Sequence, residues 1–223
     1  MTKSERTFIE YCELRGYEIA TIPTEPSVGR RADFRVGTGA IRLIAEVKEI
    51  TANLADQRCH KDLAARRVAS SGGIIGKRAR GHIRDAADEL KAHISEGLPG
   101  VIVLYDNIVV GGQRHKFPYS DLQTFHIDAA MFGYIQANLI IGDQGVIGSK
   151  PDTAGGGRTT TLTEKRHVSA VCVLYDVPKF RMLTYHNRFA TVPFPFNIFS
   201  GDGDVHLKKP ADPTVCPGTW VKV

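Results

Sequence analysis

Cysteine is scarce in this chain of 223 residues. Cys12, Cys59, Cys172 and Cys216 lie far apart and none belongs to a C-x-x-C pair. That spacing argues against a zinc ribbon and against a disulfide framework, and leaves free thiols that pack as small apolar groups. Long hydrophobic runs are missing too. A stretch such as Val101 to Tyr105 falls far short of the roughly 20 residues that span a bilayer. The N-terminus leads into a charged amphipathic segment and lacks an apolar signal core, so a cytoplasmic protein without membrane partners is expected. The eight histidines show no H-E-x-x-H spacing. Gly155-Gly-Gly-Arg158 lacks the Gly-Lys-Ser/Thr ending of a phosphate-binding P-loop. No internal repeat is visible. With 42% hydrophobic residues the chain is too apolar for disorder and can bury a core.

What is present is an alternation of helical and extended patterns. Thr2-x-x-Glu5 reads as a capping box opening a helix, with Phe8, Ile9, Cys12 and Leu14 on its buried side and Gly16 at its end. Strands are predicted over 17–22, 32–36 and 41–50, with a tight turn at Gly37-Thr-Gly39. Helices are predicted over 54–69 and 77–95, a buried strand over 100–106, a short helix over 121–131 and a strand over 134–141. Residues 142–165, rich in Gly and Thr, read as one long loop. Residues 168–175 and 180–185 form the two arms of a predicted hairpin. The expectation is a single α/β domain over 1–223, with a core over about 1–110 and a β-rich C-terminal elaboration over about 111–223.

Candidate chemistry gathers in Arg31-Ala-Asp33-Phe-Arg35 and Ala45-Glu46-Val-Lys48. On the strand 41–50, Ile41, Leu43, Ala45 and Val47 face one way and Arg42, Ile44, Glu46 and Lys48 the other. Glu46 and Lys48 therefore share a face. The strand carrying Asp33 is joined to this one by a short turn, so Asp33 can approach Glu46. Two converging carboxylates make an oxygen site for a hard cation. A lysine beside them can hold a water and offset charge on a phosphorane. Glu49 continues the strand past this pair and reads as a surface charge.

A helix bearing Glu10, a strand, Asp33, a turn, a strand with Glu46-x-Lys48, a helix and a strand follow one another. In this order the chain resembles the PD-(D/E)xK nuclease superfamily. The spacing from helix acid to E-x-K strand is similar to that of archaeal Holliday-junction resolvases. The resemblance covers about half the chain, and Ala32 stands where the motif has proline. It implies a restriction-endonuclease-like mixed central sheet flanked by helices. It implies Mg²⁺, with Mn²⁺ as substitute, held by Asp33 and Glu46. Lys48 would be the catalytic lysine and Glu10 an extra acid near the metal.

The charge distribution suits such a role. The net charge of +5 is local: residues 58–84 hold eight Lys/Arg and one acid, and the remainder of the chain is slightly negative. Arg66, Arg67, Lys77, Arg78, Arg80 and Arg84 are candidates for phosphate contacts with double-stranded DNA, because each neutralised phosphate releases counterions. Arg80 and Arg84, one helical turn apart, could clamp a phosphate or pair with Asp85 or Asp88. The expected activity is Mg²⁺-dependent endonucleolytic hydrolysis of DNA, by a single chain or a homodimer. The alternatives are a nucleic-acid-binding module that does not cut and a protein in which these charges form an ion-pair cluster.

Overall fold

The computed structural model describes residues 1–23, 31–65, 76–110, 113–114, 122, 124–142, 145–153, 162–210 and 220–223. Helix α1 (Lys3–Leu14) opens on the expected capping box: Thr2 accepts from the Glu5 backbone N–H, and the Glu5 side chain accepts from Thr2. Phe8, Tyr11 and Cys12 form its buried face. Leu14, expected on that face, is 65% exposed, because the chain leaves the helix there and turns at Gly16.

Strands β1 (Glu18–Thr21), β2 (Phe34–Thr38) and β3 (Ile41–Thr51) form an antiparallel meander. The expected turn at 37–39 lies slightly later, since Gly37 and Thr38 still pair with β3. Helices α2 (Leu54–Ala64) and α3 (Lys77–Leu90) follow, and α3 tightens into a 3₁₀ turn over Lys91–Glu96. Strand β4 (Gly100–Asn107) then lies parallel to β3. Its residues up to Asp106 are all buried, as an apolar central strand covered on both faces must be.

The second half of the chain completes this sheet. After the short strands β5 (Val109–Val110) and β6 (Gln113–Arg114) come α4 (Thr124–Phe132) and a hairpin of β7 (Tyr134–Gly142) and β8 (Gly145–Thr153). Strand β8 lies inside the stretch expected to be a loop. Its sequence, with Gly, Ser, Lys and Pro, carries no strand signal, and pairing with β7 supplies the order. Strand β9 (Val168–Tyr175) joins β4 in parallel and forms the expected hairpin with β10 (Arg181–His186). Strands β11 (Val205–Lys208) and β12 (Val221–Lys222) extend the edge. The result is a mixed eight-stranded sheet, ordered β1-β2-β3-β4-β9-β10-β11-β12, flanked by helices. The C-terminal half, expected as an elaboration, supplies half of its strands.

Two buried layers cover the sheet. Ile44, Ile50, Ile102 and Leu104 meet Ala79, Ile83, Ala86 and Leu90 of α3 on one face. Leu43, Ala45, Val47, Val101 and Val103 meet Phe8, Tyr11 and Cys12 of α1 on the other. The alternation read along β3 is therefore the alternation between these two layers. Among the described residues, no helix is long and apolar enough to cross a membrane.

Candidate active site

The sheet brings Asp33, Glu46 and Lys48 together. Phe34 pairs with Ala45, so Asp33, one residue earlier, comes alongside Glu46. Its position is held at both ends: the Asp33 carbonyl accepts from Ile22 N at 2.8 Å, and Oδ2 accepts from Val47 N at 2.9 Å. Glu46 and Lys48 project from the α3-facing side of β3, where the alternation puts them. Lys48 Nζ lies 2.6 Å from Glu46 Oε1. The surrounding cleft, about 370 Å³, is lined by Arg31, Asp33, Glu46, Val47, Lys48 and Glu89, and on the α1 side by Thr2, Ser4, Glu5 and Glu49.

Glu89 went unnoticed in the sequence. It lies on α3, and its Oε2 is 2.5 Å from Lys48 Nζ. Its place three residues after buried Ala86 puts it at the rim of the apolar stripe, which is the one hint a helix pattern offers. Lys48 thus bridges two carboxyls from different elements.

The electrostatics of the cleft are short of positive charge. Glu46 is 2% exposed, and Oε2 has no hydrogen-bond partner among the described residues. Burial, the neighbouring Glu89 carboxyl and the nearby Asp33 push Glu46 up to about 9, against the pull of Lys48. Burial also pushes Asp33 up; the Val47 hydrogen bond opposes this and Glu5 adds to it. Burial works against the Lys48 ammonium, but its contacts with Glu46 and Glu89 prevail and raise its pKa. Ionising both Asp33 and Glu46 here would need a further cation.

That need is the test of fit for a metal. Among the described residues, no group of three or more His, Cys, Asp or Glu is arranged to hold one. Magnesium commonly takes only one or two protein carboxylates and fills its shell with water and substrate oxygens. Glu46, buried and with one carboxyl oxygen unpartnered among the described residues, and the half-buried Asp33 beside it fit that smaller demand.

The other candidates fare differently. Glu10 is exposed and does not line the cleft. The first-helix acid that does is Glu5, because five residues of helix rotate the side chain to another face. Glu49, expected as a surface charge, is half-buried: it accepts from Ser4 N at 3.2 Å and Asn107 Nδ2 at 2.6 Å, tying α1 to the end of β4. Arg66 and Arg67 lie outside the described residues. Lys77 is exposed at the start of α3. Arg78 pairs with Asp56 at 2.9 Å. Arg80 donates to the Ala129 carbonyl of α4 at 3.0 Å, a contact that serves helix packing. Arg84 is exposed beside Asp85, at 3.2 Å. Asp88 pairs instead with Lys165, at 2.8 Å.

No family model, no curated protein and no solved structure matches this chain.

Proposed function

We propose that the protein is a Mg²⁺-dependent nuclease that hydrolyses DNA phosphodiester bonds, with the restriction-endonuclease-like arrangement the sequence motif implies. The observation that carries this reading is Glu46. It is a buried carboxyl with an oxygen that has no hydrogen-bond partner among the described residues, set beside the half-buried Asp33 carboxyl and a lysine in an open cleft. Burying such a group costs stability unless something compensates it. A site retained at that cost is a candidate for ligand chemistry.

Asp33 and Glu46 would hold the metal, which when bound polarises the phosphate and lowers the pKa of a water. The chain's own part is positional. The Asp33–Val47 hydrogen bond fixes one carboxylate against β3. Lys48 keeps its proton, held by Glu46 and Glu89, and can donate it in hydrogen bonds to a water or to an oxygen that gains charge. The closing of the Lys48 contacts to Glu46 and Glu89 also favours a second reading, an ion-pair cluster without chemistry.

Calorimetric titration with Mg²⁺ and Mn²⁺, beside cleavage of plasmid, single-stranded and branched DNA with metal or EDTA, separates the two. Metal binding that Asp33→Asn greatly weakens, together with EDTA-sensitive cleavage, is the expected result. Equal metal binding by both proteins, or no cleavage of any substrate, removes the nuclease reading.

A further inference from the structure

The cleft is lined by five carboxyls, from Glu5, Asp33, Glu46, Glu49 and Glu89, and by two cationic side chains, from Arg31 and Lys48. Lys48 is held between Glu46 and Glu89. Arg31 is half-buried, yet it makes no hydrogen bond or ion pair with any described residue. An arginine kept there to neutralise the acids would pair with one of them. Toward the described residues this one leaves its five donors unused.

Its backbone is well placed. Ala32, between Arg31 and Asp33, is 2% exposed and packs in the α3-side core. The residue after it is pinned by Ile22 N and Val47 N. Arg31 and Asp33 therefore flank an anchored residue and both open onto the cleft. A polyanion entering a cleft with this excess of carboxyls needs a cation at the mouth. A guanidinium fork matches two oxygens of a phosphate.

We propose that Arg31 grips the phosphodiester substrate, its guanidinium taking non-bridging oxygens of the phosphate that approaches Asp33 and Glu46. The inference rests on the nuclease reading for the identity of that phosphate. Its contact carries no sequence information, so it acts on all DNA sequences alike.

The test uses the full chain, as wild type, Arg31→Ala and Arg31→Lys, with a short DNA duplex as the probe. Binding is measured in Ca²⁺ at several salt concentrations and cleavage in Mg²⁺. Arg31→Ala is expected to flatten the dependence of log affinity on log salt by about 0.9. It should lower kcat/KM by about 10- to 100-fold. Mg²⁺ binding by calorimetry and the thermal midpoint should stay unchanged. Arg31→Lys should restore the salt slope and recover only part of the rate, since the charge returns without the fork. If Arg31→Ala unfolds the chain, Arg31→Gln replaces it in the same comparison. A wild-type slope and rate in the neutral variant overturn the proposal and leave the nuclease reading intact. A wild type that binds duplex without cutting, and whose slope flattens in Arg31→Ala, supports the Arg31 contact while removing the nuclease reading. A wild type that neither binds nor cuts overturns both.

Discussion

Two buried carboxyls of this molecule live in opposite circumstances. Asp204, with no exposed side-chain surface, accepts from Tyr11 Oη at 2.9 Å, Met182 N at 2.6 Å and Gly201 N at 2.9 Å, and Arg15 Nε stands 3.2 Å away. It knots α1, β10 and the segment before β11 together. Glu46, almost as deeply buried, keeps one oxygen unpartnered among the described residues and shares its lysine with a second acid. Full satisfaction marks a carboxylate that holds structure. A carboxyl left wanting, at the wall of a cleft, marks a place where a ligand can complete what folding did not.

The contrast is broken most severely at Asp204. Asp204→Ala strands the Arg15 charge and the two backbone donors, and should cost about 3–5 kcal/mol in urea unfolding. Next comes Lys48→Ala. It should reduce cleavage about 100- to 1,000-fold in a steady-state assay while duplex binding and the folded circular dichroism spectrum persist. A fully active Lys48→Ala enzyme would discard the role given to this lysine.

Glu46→Gln sharpens the comparison through pH. A carboxyl whose folded pKa lies above its unfolded value binds its proton more tightly in the folded chain. Its effect on stability is therefore absent in acid and grows unfavourable as pH rises from about 4.3 toward about 9. The thermal midpoint of the metal-free wild type should fall relative to Glu46→Gln across that window, and Mg²⁺ should narrow the gap by favouring the ionised form. Parallel midpoints at every pH would show that Glu46 carries no such strain. The smallest effect concerns α1. Glu5→Gln, which preserves the capping box, should lower cleavage by less than Lys48→Ala. Glu10→Gln should leave the cleavage rate at the wild-type value.

How far the site could be read in advance depended on the range of the interactions. Glu46 and Lys48 share a face because strand geometry has a period of two, and Asp33 approaches them because a short turn joins adjacent strands. Both are local facts. Glu89 lies 41 residues beyond Lys48 on α3, and its approach follows from how that helix packs across β3. Glu5 and Glu10 look alike in a helical pattern. Only the orientation of α1 against the sheet puts one at the cleft and the other in solvent. The basic run was legible as charge, but Arg80 was drawn to the Ala129 carbonyl of α4 by tertiary packing.

The Tyr185-His-Asn187 segment shows the same limit. Its residues signal no function as a string. In the fold, Tyr185 meets Thr124 at 3.1 Å, His186 meets His206 at 2.9 Å, and Asn187 Nδ2 donates to the Leu162 and Val168 carbonyls. The sequence by itself determined the capped first helix, the pairing of the strand after Asp33 with the Glu46 strand, the buried central strand and the convergence of Asp33 with Glu46 and Lys48, because each arises from periodicity or a short connection. Tertiary structure alone decided that the C-terminal strands complete the same sheet, that Glu89 joins the site and that Arg31 lines the cleft with no partner among the described residues. Those outcomes depend on contacts between distant segments, which no local pattern encodes.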